Sequence, residues 1–181
     1  MVDVESLSKK TESARLKALE NIQPVSISSI EITLSDRLST GIRELDRVLG
    51  GGVVKGSLVL IGGDPGIGKS TLLLQATDNI AKKYGKVLYV SGEESLSQIK
   101  LRAERLGAFS ENILLLSETL VERILDWASE EELNALIVDS IQTVYTEEAM
   151  SAPGSVSQIR ESATKFMHFA KKRGIPVFLI G

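Results

Sequence analysis

The stretch "LVLIGGDPGIGKSTLLLQ", Leu58 to Gln75, decides how the rest of the chain is read. A branched apolar run passes into a glycine cluster, then Lys-Ser-Thr, then a second apolar segment with a different rhythm. Leu58 to Gly62 has the composition of a buried strand, whereas Leu73, Ala76 and Ile80 fall on one face of a helix. The glycines therefore sit at a strand-to-helix turn. Gly63 to Ser70, "GDPGIGKS", fits G-x-x-x-x-G-K-[ST] at every fixed position. Successive backbone N–H groups must turn inward around phosphate oxygens, and glycine permits both the dihedrals and the close approach. Lys69 is expected to reach the β- and γ-phosphates, with the Ser70 hydroxyl on Mg²⁺. The helix starting at Gly68–Lys69 aims its positive end at the anion. Gly63, Asp64, Pro65, Gly66, Ile67, Gly68, Lys69, Ser70 and Thr71 form the expected ATP/ADP-binding set.

Outward from this loop, five apolar runs read as strands: 58–62, 86–92, 112–116, 135–140 and 176–181. Helical faces lie between them. The second is Leu96, Ile99, Ala103 and Leu106; the third is Val121, Ile124 and Ala128. The last and longest is Val156, Ile159, Ala163, Phe166 and Ala170, ending in "KKRG". Strands that are continuously apolar and alternate with helices predict an α/β fold, a mostly parallel sheet covered on both faces.

Two further strand ends carry acids. "ALIVDS" places Asp139 at the end of a buried run, where it can hold Mg²⁺ or, alternatively, cap the next loop. "YVSGEES" ends in Glu93 and Glu94. Hydrolysis needs a carboxylate to orient and polarise water, and adjacent residues at a strand end point to opposite sides. Glu93 is the expected base and Glu94 its supporting candidate; the alternative is acidic residues in the first turn of a helix over 95–107.

The 181 residues suffice for one domain with a sizeable core, and the net charge of −3 neither predicts nor excludes a nucleic-acid partner. There is no cysteine, which rules out disulfides and thiolate zinc sites within this chain. No apolar run approaches the roughly 20 residues of a membrane-spanning helix, and the start lacks the apolar core of a secretory signal. A soluble, cytoplasmic protein with no membrane partner is the default expectation. Residues 1–36 read as an arm or linker, with weak helical spacing at Leu16, Leu19 and Ile22 and a short peripheral strand in "VSISSIEI", 25–32. Ser39 or Thr40 is expected to cap a short helix carrying Ile42, Leu45 and Leu49, stopped by Gly50 to Gly52. Residues 37–181 read as the core. The chain stops on a strand, which reads as truncation.

The combination "LSTGIRELDRVLGGGVVKGSLVLIGGDPGIGKSTLLLQ", "YVSGEES", "IVDSIQT" and "SAPGSVSQIRE" resembles the RecA-like P-loop ATPases, and among them the RadA (Sms) family of bacterial DNA-repair proteins. The resemblance covers about residue 37 to 181. It implies a strand order 3-2-4-5-1, counting the five runs along the chain, with the last strand between the cradle strand and the Asp139 strand. It also implies an ATP-driven motor, a homo-hexameric ring acting in branch migration on single-stranded or branched DNA, alongside a RecA-type recombinase. Arg102 would lie near the adenine, where a planar guanidinium can stack; its alternative is a solvated helix arginine. "YTEEAMSAPGSVSQIRE" corresponds to the loop facing DNA in related rings. Ser155, Ser157, Gln158 and Arg160 suit backbone contacts without base reading, although Glu147 and Glu148 oppose this, and Gly154–Ser155 could instead cap the last helix. The family's four-cysteine zinc finger, Lys-Asn-Arg-Phe-Gly motif and Lon-like domain are absent from this sequence. Losing the cation that a neighbouring ring subunit brings to the γ-phosphate commonly costs about 10³-fold or more in rate. A chain that binds ATP with little turnover is therefore one alternative; a signalling ATPase like KaiC, with a protein partner, is another.

His168 is the only histidine, and both it and Trp127 read as packing residues rather than ligands. Glu130 to Glu132 read as a solvated face near a helix end.

Overall fold

The computed structural model describes residues 24–31 and 37–181. The chain divides into two units, Met1–Leu34 and Ser35–Gly181. In the first, the expected peripheral strand does not form over the described residues. A single 3₁₀ turn, Ile27–Ser29, stands there, with Val25 and Ile27 exposed. Serine side chains compete with any ladder: Ser29 Oγ donates to the Ser26 carbonyl at 2.7 Å. The spacing at Leu16, Leu19 and Ile22 lies outside the described residues.

The second unit opens with β1 (Arg37–Leu38), α1 (Arg43–Val48) and β2 (Val53–Val54), where β1 and β2 pair antiparallel. The expected Ser/Thr cap is replaced by a carboxylate that works in the other direction. Asp46 accepts from Ser39 Oγ at 2.6 Å, Thr40 N at 2.7 Å and Thr40 Oγ1 at 2.7 Å. Burial acts to raise the Asp46 carboxyl, but these donors hold it below the usual carboxylate range.

There follow β3 (Leu58–Ile61), α2 (Lys69–Tyr84), β4 (Val87–Ser91), α3 (Leu96–Leu106), β5 (Ile113–Ser117), α4 (Val121–Glu130), β6 (Ala135–Asp139), α5 (Val156–Arg173) and β7 (Val177–Ile180). The sheet order is β3-β7-β6-β4-β5, with every pairing parallel. This is the order 3-2-4-5-1 that the family resemblance implies, and β7 lies between the cradle strand and the Asp139 strand.

Alternation along the strands separates two cores. Val87, Tyr89, Ala135, Ile137, Phe178 and Ile180 face α2 and α3, packing on Leu73, Leu74, Ile80 and Ile99. Leu88, Val90, Leu136, Val138, Val177 and Leu179 face α4 and α5, packing on Val121, Ile124, Phe166 and Ala170. Central strands buried on both sides are why these runs read as continuously apolar.

Three expected packing residues point elsewhere. Trp127 is 56% exposed and Val156 83% exposed, while His168 is exposed on the outer side of α5. Each lies off the stripe that α4 or α5 turns toward the sheet; spacing placed Val156 too deep, and residue type did the same for Trp127 and His168. Glu131 pairs with Lys86 at 2.7 Å, and Glu130 and Glu132 are exposed.

Candidate nucleotide site

In a parallel sheet the strand carboxyl ends share one edge, and there the chain leaves β3, β6 and β4 in loops. The β3 loop is the glycine cluster. Gly66 and Gly68 have φ of 80° and 101°, a region closed to most side chains, and Gly68 turns the chain directly into α2. Lys69 is the first residue of that helix. Its Nζ donates to the carbonyls of Gly63 at 2.5 Å and Asp64 at 3.0 Å, which places the ammonium across the loop. Gly63, Asp64, Pro65, Gly66, Ile67 and Gly68 are exposed, and Lys69, Ser70 and Thr71 half-buried. A cation, a hydroxyl and a helix amino end so gathered suit a polyphosphate.

Asp139 ends β6. It follows Ala135 and Ile137 in the alternation, so it faces the same side as α2, the helix that carries Ser70. Tyr89 Oη donates to Asp139 Oδ2 at 2.6 Å. Burial first, then the Asp139 charge, pushes the Tyr89 phenol far above its ordinary range, so it stays a donor.

Beyond β4 the chain is fixed by two contacts to the β6 end. Gly92 N donates to the Asp139 carbonyl at 3.0 Å, and Ser140 Oγ donates to Glu93 Oε1 at 3.3 Å. The approach is close: a Cβ on Gly92 would lie 2.3 Å from Thr143 Oγ1. Glu94 turns the other way and pairs with Arg102 of α3. The two adjacent glutamates therefore part company. Glu93 stays exposed beside the Asp139–Ser140 turn, and Glu94 serves an ion pair. Arg102 borders an open groove of about 720 Å³ with Glu94, Gln98, Leu101, Glu104 and Arg105.

The loop before α5 requires a correction. Gln158, expected to contact DNA, is 2% exposed. Its Oε1 accepts from Thr146 N at 2.9 Å, and its Nε2 lies 2.9 to 3.1 Å from the carbonyls of Thr146, Ala149 and Ser151. The amide is consumed in bracing the loop. Ser155 is the N-cap of α5, accepting from Gln158 N at 3.3 Å, while Ser157 and Arg160 are exposed. Gln158→Leu is expected to destabilise the fold by about 2 kcal/mol or more, because it leaves buried loop groups unpaired. Denaturant unfolding reads this; an unchanged midpoint would remove the brace.

Comparison with known proteins bears on this arrangement. A family model described as "ATPase: KaiC" matches residues 38–115. The DNA repair protein RadA of Bacillus subtilis is 51% identical over 183 residues, 98% of this chain and 40% of that protein. RadA of Campylobacter jejuni is 51% identical over 164 residues, covering 91% of this chain and 37% of the relative. RadA of Escherichia coli is 46% identical over 177 residues, 98% of this chain and 37% of its own length. The chain matches the RadA family. It spans about 40% of the length of the Bacillus relative, and the candidate site lies inside the matched part. The fold is RecA-like. Among the described residues no helix is long and apolar enough to cross a membrane.

Tyr89, Ser140 and Thr143 escaped the reading of the sequence. Only Tyr89 carried a signal, a lone phenol in the otherwise aliphatic apolar run of β4.

Proposed function

We propose that residues 37–181 form the ATP-binding and ATP-hydrolysing core of a DNA recombination and repair motor. The working form would be a cytoplasmic homo-hexameric ring, acting in branch migration on single-stranded or branched DNA beside a RecA-type recombinase. Residues 1–36 would serve as an arm.

In this reading the amino end of α2 and the loop N–H groups bind the phosphates, and Lys69 offsets their charge. Among the described residues no group of three metal-ligating side chains gathers. Ser70 and Asp139 would hold Mg²⁺ jointly with phosphate oxygens, the usual manner for this ion. Bound Mg²⁺ supplies neutralisation of charge developing on those oxygens. Glu93 accepts the proton of the attacking water, and Ser140 orients its carboxylate. Arg102 borders the region where adenine would stack, and Ser155, Ser157 and Arg160 lie near the surface that would face DNA.

The observation that supports this best is the pairing of one site with one kinship. A glycine cradle, Asp139 and Glu93 share a single sheet edge, within sequence 46–51% identical to DNA repair proteins. The test is ATP turnover of the full-length Bacillus relative with this chain in place of its matching segment. Single-stranded DNA is expected to raise turnover severalfold.

The KaiC-type match over 38–115 favours a second reading, a signalling ATPase with a protein partner. Turnover unaffected by any DNA would support that reading and count against the motor.

A further inference from the structure

Asp139 has two carboxylate oxygens, and among the described residues one is engaged by a side chain. Tyr89 Oη donates to Oδ2 at 2.6 Å. Among the described residues the buried side-chain atoms left without a partner are Arg102 Nε, Glu122 Oε2 and Ser162 Oγ, and Oδ1 of the half-buried Asp139 is not one of them. The geometry follows from strand register. Tyr89 lies opposite Ile137, and Ser91 opposite Asp139, so Tyr89 and Asp139 share a face one diagonal step apart. At about 3.3 Å of rise per residue that diagonal step is within reach of a phenol, whose hydroxyl supplies the donor.

Tyr89 is fully buried, at 0% exposure, in the core against α2 and α3. A phenylalanine would fill this space as well, and the hydroxyl needs an acceptor once it is buried. The acceptor it meets is charged, which makes the bond stronger than a neutral one. The outer torsion of an aspartate is otherwise broad and nearly two-fold. Pinning Oδ2 removes that freedom and fixes where Oδ1 points.

We propose that Tyr89 is a positioning residue: its hydroxyl holds Oδ2 of Asp139 so that Oδ1 is the oxygen presented to a divalent cation. The inference rests on reading Asp139 as a metal holder. It deepens that reading by assigning the two oxygens different tasks, one structural and one for the metal.

Manganese binding to this chain in the presence of ADP, followed by electron paramagnetic resonance, tests it. Nucleotide affinity in chelator, without metal, is the companion measurement. Tyr89→Phe is expected to weaken Mn²⁺ binding about tenfold, as loss of a group that orients a metal ligand commonly does. Metal-free ADP affinity should stay unchanged. Asp139→Asn should weaken Mn²⁺ binding further, and adding Tyr89→Phe to it should cost nothing more. Wild-type Mn²⁺ binding in Tyr89→Phe, with Asp139→Asn impaired, would overturn the positioning role while leaving the metal reading in place. Wild-type binding in Asp139→Asn would overturn the metal reading and this inference with it. Equal loss of metal-free ADP affinity and Mn²⁺ affinity in Tyr89→Phe would mark general loosening of the site, and overturn the inference too.

Discussion

Lys69→Ala is expected to lower ATP turnover by about 10²- to 10³-fold or more, the scale set by removing one preorganised group that stabilises transition-state charge. The assay is phosphate release by the Bacillus relative carrying this chain. The fold should survive the change. Lys69 is half-buried at the first position of α2, and its bonds run to the carbonyls of Gly63 and Asp64 in an exposed loop. No core contact is lost, and alanine is at least as good a helix former as lysine. The loss would then be chemical. Those carbonyl contacts hold the ammonium across the loop, where it meets the charge of a phosphate. Lys69→Arg is a useful companion, because a broad planar guanidinium does not replace a compact point charge. It should also be impaired, though it keeps the positive charge. Turnover retained in Lys69→Ala would place the catalytic site elsewhere in the chain.

The parts of this site differed in how far the sequence disclosed them. The glycine loop was legible because its function dictates its composition: only glycine accepts the dihedrals at Gly66 and Gly68. The sheet was legible because strands buried on both faces must be apolar throughout, and its order came from the family resemblance. What stayed hidden were partnerships of single polar atoms. Periodicity states that a residue is turned inward, yet says nothing about what it meets there. Gln158 is the clearest example. A polar residue in the first turn of a helix after a loop reads as a surface donor. Folding back of the 146–151 segment instead encloses it with four backbone groups. Asp46 misled in the same way, since Ser39 and Thr40 look like caps until a carboxylate one turn into the helix gathers their protons. Trp127 and His168 failed for a different reason. Residue type suggests burial but does not fix the face: Trp127 falls just outside the stripe of its helix, and His168 lies on the opposite face from the buried stripe.

Glu93→Gln should lower turnover by about 10²- to 10⁴-fold, the usual contribution of a positioned general base, with nucleotide binding kept. Glu94→Gln should cost much less, and its effect should appear in stability. The distinction rests on what each carboxylate already does. Glu93 is exposed at the strand end and held by Ser140 Oγ, next in sequence to Asp139. On the proposed reading it is the carboxylate that would accept a proton from the attacking water. Glu94 is committed to Arg102, whose side chain is 15% exposed, and its own backbone N–H is tied to Ser91 Oγ at 3.0 Å. A carboxylate oxygen held by a guanidinium is not turned toward an incoming water, whereas an exposed one can meet it. Glutamine at position 93 keeps the contact with Ser140 while removing basicity, so binding and turnover should separate. Nucleotide affinity and phosphate release, measured on the same preparations, read both. If Glu93→Gln kept full turnover while Glu94→Gln abolished it, the base would be Glu94, and the contact between Glu93 and Ser140 would serve only to fix the loop.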